Sequence, residues 1–177
     1  MTDFIALDFE TADNGRDSAC SLALAVVRNG TVAETWYRLI RPPRASRMFT
    51  HIHGITWEMV KDQPDFGHFW PEIRDLIDTA PFLAAHNAPF DQGVLAECCR
   101  AHGHGAPLTP FVCTVRVARD TWNLRPTKLP DVCRFLAQPL KHHDALSDAV
   151  ACAEIMLAAL RDGYDPKRQI RDFSPNP

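Results

Sequence analysis

The stretch Phe4-Ile5-Ala6-Leu7-Asp8-Phe9-Glu10-Thr11 decides how the rest of the chain is interpreted. Four apolar residues lead into alternating carboxylates, the pattern of a buried strand whose end carries acid chemistry. Successive strand side chains point to opposite faces, so Asp8 and Glu10 share one face and Phe9 lies on the other, in the core. Carboxylates about 7 Å apart along a strand repel each other unless a cation lies between them, and a hard metal ion is the usual one. The plainer alternative is a strand that ends in solvent at Glu10 and Thr11.

Outward from this stretch, Thr11 to Ala19 is polar and suits a turn. Ser21 to Val27 is a second strand, Asn29-Gly30 is a strong two-residue hairpin signal, and Thr31 to Ile40 is the returning third strand. Arg41-Pro42-Pro43-Arg44 then opens a loop. Within it Thr56 can cap a short helix, with Glu58 in the first turn. A helix is expected from about His68 to Asp78, with Phe69, Ile73, Leu76 and Ile77 as its apolar stripe. Phe82 to His86 is a fourth, buried strand, followed by a helix starting near Asp91. Phe111 to Cys113 is a fifth short strand, and helices follow over Val115–Trp122, Leu129–Leu136 and Ala145–Leu160. Three hairpin-connected strands followed by alternating strands and helices imply a mixed five-stranded sheet flanked by helices. The expected division is one domain over residues 1–164 and a loose proline-containing tail over 165–177.

Composition narrows the function classes. With 46% hydrophobic and 23% charged residues the chain is globular, and a net charge of −3 argues against a non-specific nucleic-acid coat. It leaves room for a nucleic-acid enzyme whose metal ions supply positive charge locally. The six cysteines form no C-x-x-C pair and fall mostly in apolar stretches, which suits buried thiols in a reducing cytoplasm. Neither a signal peptide nor a membrane span is expected.

Further acids and a histidine stand out. Asp148 lies on a helix that is apolar nearly all round, where a carboxylate is costly unless it is paired or bound to metal; the simpler role is a partner of the helix dipole. His143 is five positions earlier, on the loop ahead of that helix, and histidine is the natural general base for activating water. Asp91 follows the fourth strand within Ala85-His86-Asn87-Ala88-Pro89-Phe90-Asp91, where a dipole partner or cap is again the plain alternative.

In type, order and separation, Asp8-x-Glu10, Asp91 and His143-x-x-x-x-Asp148 resemble the DEDD family of exonucleases in its histidine subtype. Within that family the chain is similar to the epsilon-like proofreading subunits of DNA polymerase III. Ile52-His53-Gly54-Ile55-Thr56 resembles a further short motif between the first two. The resemblance implies a ribonuclease H-like fold and 3′–5′ exonuclease activity on nucleic-acid 3′ ends, single-stranded DNA above all, with RNA trimming as the alternative. It implies two divalent ions, Mg²⁺ or Mn²⁺: Asp8, Glu10 and Asp148 would hold one, Asp8 and Asp91 the other, and His143 would deprotonate the attacking water. Thr11, Ile52 and His53 would border the terminal nucleotide. His86, Asn87 and Phe90 would shape its pocket, although Phe90 suits the core slightly better.

One departure from the family pattern bears on substrate choice. Ala12-Asp13 follows Thr11 where many relatives carry Thr-Gly, which brings an added acid towards the terminal sugar. From Arg116 to Lys141 six basic residues (Arg116, Arg119, Arg125, Lys128, Arg134, Lys141) outnumber two acids, and some are expected to meet backbone phosphates. A module that mainly docks onto a DNA polymerase is a rival reading, disfavoured by the short tail. A zinc-binding domain is the weakest rival, because the paired histidines do not combine with cysteine at zinc-site spacing.

Overall fold

The computed structural model describes residues 2–45 and 48–170. The opening stretch is β1 (Phe4–Thr11), followed by β2 (Ala19–Arg28), β3 (Thr31–Leu39), α1 (Thr50–His53), α2 (Trp57–Val60), α3 (Phe66–Thr79), β4 (Leu83–Ala85), α4 (Ala88–Ala101), β5 (Phe111–Cys113), α5 (Thr114–Trp122), α6 (Leu129–Phe135), α7 (Ala145–Arg161) and α8 (Lys167–Ile170). The sheet order is β3-β2-β1-β4-β5. The first three strands pair antiparallel, while β1–β4 and β4–β5 are parallel. This is the expected mixed five-stranded, ribonuclease H-like sheet.

Alternation along β1 sorts its side chains between two cores. Phe4 and Ala6 join the core under α5, α6 and α7, whereas Ile5, Leu7 and Phe9 join the core under α3 and α4. Asp8 and Glu10 therefore continue the face that α7 covers. Ala6, Ala23, Ala25 and Ala84 on the sheet meet Ala145, Ala149, Ala151, Ala153 and Ala159 of α7 in one core. Small side chains on both surfaces let this helix lie close to the strands and carry Asp148 down to the end of β1.

The structure departs from the sequence reading at several places. Helix α4 starts at Ala88, three residues before Asp91, because Asn87 takes the left-handed conformation (φ 76°, ψ 48°) that asparagine tolerates and Pro89 suits the first turn. Phe90 is thus helical. Thr56 occupies the N-cap of α2 without a side-chain capping bond, and α1 is a helical turn inside the expected loop. Helix α3 begins two residues early at Phe66, capped by the Asp65 carboxylate, which accepts from the His68 N–H. The segment after Asp165 is not loose at its start. Gln169 of α8 is buried; its Oε1 accepts the Cys113 N–H at 2.9 Å and its amide donates to the Cys113 carbonyl and the Tyr164 hydroxyl. That side chain caps the open edge of β5 as another strand would. The rest of the expected tail, 171–177, lies outside the described residues.

Candidate metal and nucleic-acid site

A cavity of about 820 Å³ opens at the carboxyl ends of β1 and β4, flanked by the start of α4, the loop before α6 and the loop before α7. Parallel strands leave such a crevice where their connections run to opposite sides. Asp8, Glu10, Asp91, His143 and Asp148 all line it, as do Thr11, Ile52, His53, His86, Asn87 and Phe90. All eleven of these residues therefore reach one cavity, from four stretches of the chain: 8–11, 52–53, 86–91 and 143–148.

The acids are held differently. Beyond Ala6 and Ala84 strands β1 and β4 no longer pair, and the Phe9 N–H left over donates to Asp91 Oδ1 at 3.1 Å. Asp91 is 2% exposed, and burial lifts its carboxyl to about 7 in spite of that bond. Asp148, in the first turn of α7, accepts at Oδ2 from the His143 N–H and from His142 Nδ1, each at 3.0 Å. Its other oxygen, Oδ1, is buried without a hydrogen-bond partner. Burial raises the Asp148 carboxyl. Burial together with the Asp91, Asp148 and Glu10 carboxylates pushes Asp8 well above the usual range. Burial and the same kind of repulsion, chiefly from Asp148, take Glu10 to about 8.

Asp8, Glu10 and Asp148 each offer an oxygen to a point where all three lie within 4.8 Å of one another. An unpartnered buried carboxylate oxygen among mutually repelling acids is an arrangement that a cation would satisfy. The donor set is all oxygen and fits a hard divalent ion. His142, His143 and Asp148 form a second close group, but Asp148 Oδ2 is already used within it and no cysteine joins it among the described residues.

Histidine roles sort by geometry. His143 lies on the loop before α7 with a positive φ of 66°, stacked on His142 with ring centroids 3.8 Å apart. Burial above all, with His142 beside it, lowers its pKa, which favours the neutral ring that can accept a proton. The His53 Nδ1 accepts the Ile55 N–H at 3.0 Å, leaving its Nε2–H for the Thr11 carbonyl at 3.3 Å. This bond ties the short Ile52–Thr56 motif to the end of β1.

His86 differs from the expected pocket residue, because both of its ring nitrogens are used internally. Nδ1 lies 2.9 Å from the Thr114 hydroxyl, and Nε2–H donates to the Thr127 carbonyl at 2.9 Å. Burial lowers its pKa to about 4 and keeps it neutral. It acts as a strut between β4 and the cavity wall.

That wall carries Arg119, Arg125 and Lys128, three of the six basic residues noted in the sequence, and Arg119 Nε donates to Thr127 Oγ1 at 3.1 Å. Arg134 and Lys141 pair with Asp131 and Asp144 instead. Phe90 corrects the core assignment: it is 37% exposed and lines the cavity. Asp13 does not line the cavity. Its carboxylate takes two bonds from Arg44 at 2.8 Å and one from the Gly15 N–H at 2.7 Å, so the added acid serves the β1–β2 turn. His142 and Phe49 are cavity residues that the motif pattern missed. His142 was visible only as half of a histidine pair, six positions from the acid it holds.

The model of the RNase_T family, described as Exonuclease, matches residues 5–156. A DNA polymerase III PolC-type protein of Thermotoga maritima is 30% identical over 158 residues, covering 87% of this chain and 12% of that protein. A 3′-5′ exonuclease DinG of Bacillus subtilis is 28% identical over 183 residues, covering 97% of this chain and 19% of that protein. The chain thus spans under a fifth of these relatives. Among solved structures, Exonuclease X in complex with 5′ overhanging duplex DNA superposes with a TM-score of 0.77 at 22% identity, covering 95% of this chain and 98% of that one. The nuclease domain of 3′hExo, a DEDDh family member bound to rAMP, gives 0.77 at 16% identity over 91% and 92%. These likenesses establish the fold.

Proposed function

The chain belongs to the RNase_T exonuclease family, and on that premise we propose that it is of the DEDD histidine subtype and hydrolyses single-stranded DNA from the 3′ end, releasing nucleoside 5′-monophosphates. The observation that carries this reading is the cluster of Asp8, Glu10 and Asp148 within 4.8 Å, with Asp148 Oδ1 buried and unpartnered. Asp8, Glu10 and Asp148 would hold one divalent ion, Mg²⁺ or Mn²⁺, and Asp8 with Asp91 would hold a second. When bound, such a pair supplies Lewis-acid polarisation of the phosphate and stabilises the entering and leaving oxygens. The neutral His143 imidazole takes the proton of the attacking water, and its exposed loop position lets the proton pass on to solvent. The Asp148 carboxylate fixes the backbone on which that imidazole is mounted.

Thr11, Ile52, His53, Asn87 and Phe90 border the terminal nucleotide, and His86 supports the wall behind it. The side chains of Arg119, Arg125 and Lys128 give the strand a cationic track in a chain whose net charge is −3. Service to a DNA polymerase is supported by the name of the Thermotoga maritima relative, and co-purification with a polymerase tests it. A cytoplasmic setting is supported by six buried free thiols, and no helix among the described residues is long and apolar enough to cross a membrane.

A gel of 5′-labelled single-stranded DNA, duplex DNA and RNA in Mg²⁺, Mn²⁺ or EDTA tests the proposal. A ladder shortening from the 3′ end, fastest on single-stranded DNA and absent in EDTA, is expected. Cleavage that persists in EDTA would sink the metal assignment, and faster loss of RNA would sink the DNA assignment.

A further inference from the structure

One cation outside the acid cluster contacts the first turn of α4, the turn that carries Asp91. Arg16 lies in the turn between β1 and β2, and its Nη1 donates to the Pro89 and Phe90 carbonyls, each at 3.0 Å. The same guanidinium lies 5.9 Å from the centroid of the Phe90 ring. The backbone of Arg16 is held by α4 as well, since the Cys98 thiol donates weakly to its carbonyl at 3.7 Å. Gly93, one turn beyond Pro89, leaves the space the guanidinium occupies: a Cβ there would collide with it.

The turn presenting Arg16 is itself rigid. Arg44 bridges the Asp13 and Asp17 carboxylates with bonds of 2.8–2.9 Å, and the Ser18 hydroxyl donates to the Gly15 carbonyl at 2.6 Å. A continuous set of contacts thus runs from the β3–α1 loop, through the β1–β2 turn, to the first turn of α4.

Stability alone explains this arrangement poorly. Arg16 is exposed, and exposed charge contacts contribute little to folding. On Asp91 the guanidinium acts only weakly, through its charge, and the hydrogen bond to that carboxylate comes from the Phe9 N–H. Phe90 does depend on it. Its ring is more than a third exposed within the cavity, and Arg16 is the cation that grips both its ring and its carbonyl.

We propose that Arg16 is a positioning residue that fixes Phe90 as an aromatic wall for the base of the 3′-terminal nucleotide. An aromatic face accepts any base by stacking, so the contact serves affinity and not base identity. This inference rests on the reading of the cavity as the seat of a 3′ end.

Two variants reach the same contact by different routes. Arg16→Met removes the guanidinium and keeps the stem. Gly93→Ala displaces the guanidinium without removing it, in a helix that alanine favours over glycine. The probes are dTMP binding in Mn²⁺ by calorimetry, and KM and kcat on a single-stranded oligothymidylate. Both variants are expected to weaken dTMP binding and raise KM by about threefold to tenfold, with kcat and Tm close to wild type. Unchanged dTMP affinity in either variant overturns the proposal, as does a joint fall of Tm and kcat with KM unchanged. A wild-type chain that binds dTMP but leaves the oligonucleotide intact overturns the exonuclease reading instead, and the dTMP comparison still judges Arg16.

Discussion

Asp148 receives two hydrogen bonds on one oxygen and none on the other, and both donors come from neighbouring histidines by different means. His143 gives its backbone N–H; His142 gives Nδ1 of its ring. Loss of the His143 side chain therefore leaves its bond to Asp148 intact, whereas loss of the His142 side chain does not. The variant must also respect the backbone: His143 has a positive φ of 66°, which asparagine tolerates better than alanine. His143→Asn is expected to lower kcat by about 10²- to 10⁴-fold, while Mn²⁺ binding measured by calorimetry stays near wild type. His142→Ala is expected to weaken Mn²⁺ binding by about 10- to 100-fold, as loss of a group that orients a metal ligand does. A normal rate in His143→Asn would remove that residue from the role of base, and unaltered Mn²⁺ affinity in His142→Ala would show that Asp148 needs no such support.

At the scale of elements, the legible part of the chain was the part governed by local periodicity. Alternation along Phe4–Thr11 gave the strand, its two faces and the shared side of Asp8 and Glu10, and the Asn29-Gly30 hairpin gave the antiparallel start. The less legible features depend on partners distant in sequence. Gln169 carries no pattern that marks it as buried, because it matters only as a partner for the Cys113 backbone on the edge of β5. Asp13 looked like a pocket acid until Arg44, 31 positions away, closed on it. His86 looked like a substrate contact, yet its hydrogen-bond partners are 28 and 41 positions away. Its consequence is an element-level one: the strut joins β4 to the loop that carries Arg125 and Lys128. His86→Ala leaves the Thr127 carbonyl and the Thr114 hydroxyl without that partner, at a cost of about 1–3 kcal/mol each if they stay buried. The expected result is a lower Tm together with a higher KM for single-stranded DNA. A KM increase at unchanged Tm would mean instead that His86 touches the substrate directly.

At the scale of the whole molecule, the site sets how stability follows pH, and its groups pull in opposite directions. Burial depresses His86 to about 4, so between there and its ordinary value near 6.5 the unfolded chain binds more protons and stability rises with pH. Burial and repulsion raise Glu10 to about 8, and burial raises Asp91 to about 7. For these acids the folded chain binds more protons, so their contribution is present at low pH and is lost as pH climbs through those values. Below about 6.5 the two effects oppose each other; above it the histidine contribution fades over about one pH unit and the acids dominate. The metal-free chain is therefore expected to lose thermal stability between about pH 6.5 and about pH 8. A divalent ion displaces the shared protons and removes the repulsion, so the rise in Tm on adding Mn²⁺ should be larger at the alkaline end of this window than at the acid end. Differential scanning calorimetry in EDTA and in excess Mn²⁺ across the window provides the check. A metal-free Tm that rises with pH, or a Mn²⁺ shift that is the same throughout, would mean that the four carboxylates do not share their charge in the folded chain.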